Sequence, residues 1–225
     1  MAADLVGIPV GEGTVSGLWL APERPKAACV VAHGAGSGMR HRFLEAAATG
    51  MAGRGLASLR YQFPYMEAGR GRPDTPKVAA SAVRAAVAAA AGIAPGLPLF
   101  AGGKSFGGRM TSTAEAEAHL EGVQGLFFLG FPLHPPGKPS DDRGTHLAAV
   151  GVPMLFLSGT KDDFATLPLL EPQVARLGAL ATLRLFQNAN HSFHVARGGG
   201  ATDAETLDAV LDALSLWIDR ILATR

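Results

Sequence analysis

A chain of 225 residues, 48% of them hydrophobic, has material for one sizeable core and is expected to fold as a single domain over residues 1–225. The charges nearly cancel, 20 Lys and Arg against 19 Asp and Glu for a formal net charge of +1, and they form no basic block, so a nucleic-acid partner is not expected. The single cysteine, Cys29, excludes an internal disulfide, which fits a reducing, cytoplasmic setting.

Leu5 to Val10 and Thr14 to Leu20 read as two short strands around Gly11-Glu12-Gly13, a hairpin signal. Asp4 comes early and no basic region precedes an apolar core, so this start does not read as a signal peptide. Ala27 to Ala32 is an unbroken apolar run, as in a strand buried on both faces, and Cys29 within it reads as a core residue. A helix is expected from His41 to Arg54, a strand from Leu56 to Tyr61, and a Pro- and Gly-rich loop from Gln62 to Thr75. Pro76 to Ala91 reads as a helix. The alanine-rich stretch Val83 to Ala94 reads as a surface helix of high propensity, since no apolar run approaches the roughly 20 residues of a membrane span.

Pro98 to Gly103 is a strand and Thr111 to Leu120 a helix. Val123 to Phe131 is a strand, followed by an irregular segment, Pro132 to Arg143, too short for a large lid. Pro153 to Leu157 is a strand, Thr166 to Leu177 a helix and Ala181 to Phe186 the last strand. From Thr202 to Leu222, Leu207, Val210, Leu211, Leu214, Trp217, Ile218 and Ile221 share one helical face. The alternation predicts an α/β fold: a mostly parallel sheet with helices on both faces and an antiparallel N-terminal edge. In such sheets the functional residues follow the C-terminal ends of strands.

Three segments meet that condition and carry chemistry. Gly103-Lys104-Ser105-Phe106-Gly107 places a serine in a G-x-S-x-G turn between a strand and a helix. The turn is tight and strained, and it lifts the Ser105 hydroxyl to a helix N-terminus, where developing negative charge is favoured. A serine nucleophile needs a base, and the base an orienting acid. After the strand at Pro153 come Asp162 and Asp163; after the last strand come His191 and His194. The order Ser, acid, His is that of an α/β-hydrolase triad. Only one of the adjacent aspartates can accept from the imidazole. Asp162 is preferred, with Asp163 as a helix cap or solvated neighbour. His191 is preferred over His194, which lies farther from the strand.

Two N–H donors are needed where the oxyanion forms: Phe106, next to the nucleophile, and Gly34 or Ala35 in the His33-Gly34-Ala35-Gly36 loop after the Ala27 strand. Tyr61, Phe63, Tyr65, Phe106 and His134 either line the mouth of the site as substrate-binding residues or are packing. Lys104 and Arg109, flanking the elbow, either attract an acidic substrate or serve as solvated or structural charges. Gly103-Lys104-Ser105 also imitates the end of a P-loop, but the position five residues before Gly103, where the phosphate cradle needs glycine, is Pro98. His41, His119, His134 and His146 do not stand at metal-ligand spacing, so no metal site is expected, and the serine chemistry needs no cofactor.

Several motifs together resemble one family. Ala32-His33-Gly34-Ala35-Gly36, Gly102 to Arg109, Phe131-Pro132-Leu133-His134-Pro135-Pro136-Gly137-Lys138-Pro139, Ser158-Gly159-Thr160-Lys161-Asp162 and His191-Ser192-Phe193 span nearly the whole chain. The sequence is similar to the dienelactone-hydrolase-like α/β hydrolases, and within them to the branch of testis-expressed protein thirty and the third regulatory subunit of the NSL chromatin complex. The resemblance implies a hydrolase fold without naming a substrate. Dienelactone hydrolases themselves use a cysteine nucleophile; here Ser105 stands in its place. The expected activity is cleavage of a small-molecule ester or thioester through an acyl-enzyme. The alternative is a non-catalytic binding or scaffold protein on the same fold, against which the ordered Ser, Asp and His argue.

Overall fold

The computed structural model describes residues 2–224. An antiparallel pair opens the chain, β1 (Asp4–Val10) and β2 (Gly13–Leu20). Six strands follow: β3 (Ala27–Ala32), β4 (Leu56–Tyr61), β5 (Leu99–Lys104), β6 (Val123–Leu129), β7 (Met154–Gly159) and β8 (Ala181–Phe186). They form one eight-stranded sheet in the order β1-β2-β4-β3-β5-β6-β7-β8. β2 joins β4 antiparallel, and every later pairing is parallel. The expected α/β architecture with its antiparallel N-terminal edge is therefore the one observed, and no lid is evident.

Strand alternation divides the core in two. In β3, Ala28, Val30 and Ala32 face one side, with Leu59, Ala101, Phe128 and Phe156 from neighbouring strands; α3 (Pro76–Ile93), α4 (Phe106–Glu117) and α5 (Leu167–Arg176) cover it. Ala27, Cys29 and Val31 face the other side, with Phe100, Phe127 and Leu155, under α1 (Arg42–Ala52) and α6 (Asp203–Ala223). The α6 residues read as one face meet this second layer, Val210, Leu211, Leu214, Trp217 and Ile218 buried within it. A capping box between Thr202 and Glu205 starts that helix, satisfying donors its first turn would leave open.

Three segments depart from expectation. α4 starts at Phe106, directly on the elbow as expected, but ends at Glu117 rather than Leu120, because Ala118 turns extended. The Gln62–Thr75 loop contains a short helix, α2 (Pro64–Glu67), opened by Pro64 at its first position. A 3-10 helix, Asp142–Ala149, closes the irregular segment that begins at Pro132. α3 has the length and apolarity to cross a bilayer, but Ala79, Ala80, Ala82, Val83, Ala86, Val87 and Ala90 are buried against the sheet, as in a core helix.

The order β4-β3-β5 positions the site. After β3 the chain turns to β4 on one side, and after β5 it proceeds to β6 on the other. The loops leaving β3 and β5 therefore diverge and open a crevice at the C-terminal edge, where sheets of this kind bind ligands.

Candidate active site

Ser105 sits at the end of β5 with φ 51° and ψ −117°, a sparsely populated conformation for a residue with a side chain. Its neighbours permit it. A Cβ on Gly103 would collide with the Ala32 carbonyl, and one on Gly107 would come within 2.6 Å of the carbonyls of Ala32 and His33. The elbow is thus pressed against the end of β3, which only glycine allows at these two positions. Ser105 N–H donates to the Leu129 carbonyl at 3.3 Å, tying the turn to β6. Ser105 caps α4, so the N–H of Phe106 belongs to the first turn and lacks an intrahelical acceptor.

The loops after β7 and β8 bring Asp162 and His191 to the serine. The Ser105 Oγ is 2.8 Å from His191 Nε2, and His191 Nδ1 is 2.9 and 2.8 Å from the two Asp162 oxygens. An ionised carboxylate only accepts, so Nδ1 carries the proton and Nε2 accepts from the hydroxyl. Asp162 is buried and also accepts the Phe164 N–H at 2.8 Å; Asp163 is exposed. The Phe164 ring stacks on the imidazole at 4.2 Å between centroids. Burial pushes the His191 pKa below the ordinary 6.5, Lys104 pushes it the same way, and Asp162 opposes both. His194 points elsewhere, to Asp203 at the start of α6 at 2.9 Å, with both side chains exposed.

The β3 loop is clamped by the segment after β4. His33 Nδ1 donates to the Gly34 carbonyl at 2.7 Å, and its Nε2 accepts the Phe63 N–H at 3.1 Å. Burial lowers the His33 pKa to about 4, so it stays neutral. Gly36 N–H donates to the Tyr65 hydroxyl at 2.8 Å, and Met39 N–H to the Gln62 side-chain oxygen at 2.8 Å. Gly36 is thus engaged, which leaves Gly34 and Ala35 as the expected donors of this loop.

The residues expected at the mouth need correction. Tyr61 and Phe63 are 0% exposed and His134 1% exposed, so all three are packing. Phe63 lies beneath the site, edge-on to His33 at 4.9 Å and to Phe106 at 5.4 Å. Its aromatic character in a loop suggested a lining role, but the adjoining core claims the ring. His134 ties two loops, its Nδ1 on the Pro135 carbonyl at 3.0 Å and its main-chain N–H on the Phe164 carbonyl at 3.0 Å. Tyr65 is also buried, holding Gly36. Lys104 is turned inward onto the His191 carbonyl rather than toward a substrate. Arg109 lies over the Phe106 ring at 5.9 Å.

Some supporting residues carry no sequence signal of their own. Asn190 accepts the main-chain N–H groups of Ser192 and His194 at 2.9 and 3.1 Å, which folds the turn that presents His191. Phe193, at φ 60°, is buried beneath it and stacks on Phe43 at 6.0 Å. Asn190 precedes His191 in the sequence without marking a turn, and only the fold shows its Asx-type closure. Among the described residues no group of three or more His, Cys, Asp or Glu could hold a metal ion.

The fold recurs in solved structures. A dienelactone hydrolase from Anabaena variabilis superposes with a TM-score of 0.77 at 23% identity over 97% of each chain. XC6422 from Xanthomonas campestris, described as a serine hydrolase without lid, gives 0.76 at 18% identity over 96% of this chain and 95% of its own. Est1E from Butyrivibrio proteoclasticus gives 0.73 at 14% identity over 97% and 99%. At such identities the likeness is one of fold. The family model for the alpha/beta hydrolase domain matches residues 25–219, from just before β3 to near the end of α6 and across all the loops described above. The chain therefore belongs to the alpha/beta hydrolase domain family.

Proposed function

We propose that this protein is a serine hydrolase that cleaves an ester or thioester of a small or medium acyl group. The observation that carries the reading is the unbroken line from the Asp162 carboxylate through His191 to the Ser105 hydroxyl, at 2.8 Å on each side of the imidazole. Family membership and serine-hydrolase neighbours support hydrolysis in general; the triad, the bond type and the acyl class are this proposal's own.

The chemistry follows from the geometry. Ser105 Oγ attacks the carbonyl carbon as its proton passes to His191 Nε2. Asp162 holds the proton on Nδ1 and stabilises the imidazolium that forms. The carbonyl oxygen gains charge and is met by the N–H of Phe106 and that of Ala35 or Gly34. The imidazolium then protonates the leaving alcohol or thiol, and the acyl group remains on Ser105. Water, deprotonated by His191, attacks this ester and releases the acid and the free serine. With Ser105 and His191 partly exposed and no lid evident, small acyl groups reach the site without a large conformational step. On the Phe131–Pro139 and Gly102–Arg109 motifs we also infer membership of the branch of testis-expressed protein thirty and the third NSL subunit.

A panel of p-nitrophenyl esters and acyl-CoA thioesters of graded chain length tests the reading. The expected result is turnover that prefers short to medium chains and is abolished in Ser105→Ala. Turnover unchanged by that substitution overturns it.

A further inference from the structure

Lys104 immediately precedes the nucleophile, yet its ammonium is directed away from the crevice. It donates to the main-chain carbonyl of His191 and lies 5.7 Å from the centroid of the Phe193 ring. The room it occupies is made by Gly130 at the end of β6. A Cβ there would lie 3.0 Å from Lys104 Nζ, 3.1 Å from the His191 carbonyl oxygen and 3.2 Å from His191 Nδ1. Gly130 also sits at φ 75°, so any side chain would be strained as well as obstructive. The lysine stem passes the β3 loop on its way: a Cβ on Gly34 would lie 3.6 Å from Lys104 Cγ. One side chain thus runs from the elbow, past the expected oxyanion loop, to the backbone of the expected base.

Resting on the serine-hydrolase reading, we propose that Lys104 is the positioning residue that locks the His191 turn in line with Ser105. Holding a half-buried cation costs stability, and among the described residues no ion pair joins Lys104 to a carboxylate. A methionine of similar length would fill the space without that cost, so the charge needs another explanation. The charged and titratable groups around His191 supply one. Asp162 and Asp163, from the loop after β7, favour the imidazolium, and Lys104, from β5, is the cation opposing them. Burial brings the lysine down to about 8, while Asp162 favours its charged form. At neutral pH the ammonium then offsets part of the aspartate field. His191 stays unprotonated and ready to accept the serine proton, and its carbonyl is anchored by a donor from the nucleophile's own strand.

The test uses the full chain with Lys104→Met, Lys104→Gln and Lys104→Arg. The rate at which a fluorophosphonate phosphonylates Ser105 is followed from pH 4 to 9, alongside kcat and KM for p-nitrophenyl acetate. Lys104→Met is expected to slow phosphonylation and kcat about tenfold, with KM within about twofold, because the imidazole loses its alignment. Its acid limb should move up by about half a pH unit or more, because a cation beside His191 is gone. Lys104→Arg should restore the limb. Lys104→Gln keeps a donor without the charge, and is read in place of Lys104→Met if that variant does not fold. A folded uncharged variant with the wild-type rate and limb overturns the proposal. So does a slowed variant whose limb has not moved, since that marks a structural role only. Failure of the wild-type protein to label at Ser105 instead removes the serine-hydrolase reading and this one with it.

Discussion

The loops after β3 and β8 each carry a buried or half-buried histidine whose pKa is held below the ordinary value, and the two are wired differently. Both nitrogens of His33 are engaged by main chain, the Gly34 carbonyl and the Phe63 N–H. Those of His191 are engaged by side chains, a carboxylate and a hydroxyl. A ring satisfied by backbone on both sides joins two loops and has no proton to exchange with a substrate. A ring between an acid and a hydroxyl can take a proton on one side while the other is held. The same residue type, at equivalent strand ends, is a bracket in one loop and, on the proposed reading, a base in the other.

The sharpest way to break this contrast is to remove each histidine. His191→Ala is expected to lower kcat/KM at least about 10⁴-fold with the fold intact, as loss of a general base does. Parallel assays with circular dichroism check both halves. Asp162→Asn should follow, costing roughly 10³- to 10⁴-fold because the amide no longer holds the required tautomer. The exposed Asp163→Asn should stay within about threefold. If the two aspartates exchange effects, the acid has been misassigned.

His33→Ala should act mainly on stability. It leaves the buried Phe63 N–H unpaired and opens a small void, for about 2–3 kcal/mol in total. In a thermal melt of a protein this size that is a fall of about 6 °C or more. The pH dependence carries the same signature. The folded His33 pKa of about 4 lies below the ordinary 6.5, so between these values the unfolded chain takes up a proton that the folded one refuses. Stability should therefore fall as pH drops from about 6.5 toward 4, by on the order of 3 kcal/mol from this residue. Urea midpoints across that range in wild type and His33→Leu measure it; the slope should flatten in the variant. The smallest effect is expected for Tyr65→Phe, which frees Gly36 N–H and loosens the β3 loop. Stability should fall about 1 kcal/mol and kcat by tenfold or less, with KM unchanged.

What the sequence discloses follows the same division. β3, β4 and β8 are readable to the residue: β3 is an unbroken apolar run, and β4 and β8 are short, mainly apolar segments that follow helices. The elbow, Asp162 and His191 are legible because each follows such a strand in the order the chemistry requires. The residues that were not legible act through tertiary contacts. Tyr61 at the end of β4, Phe63 just after it and His134 after β6 look like mouth residues because they follow strand ends, but all three are buried in the fold. Lys104 reads as a surface charge beside the nucleophile. Only the room left by Gly130, a residue of a different strand end, turns it inward.

Intact-mass and peptide analysis after fluorophosphonate treatment tests most directly whether Ser105 is a nucleophile activated by His191. A single phosphonyl adduct on the peptide containing Ser105 is predicted, formed by the folded protein, lost in Ser105→Ala and strongly slowed in His191→Ala. No adduct on folded protein, or one on another residue while Ser105 stays free, would contradict it.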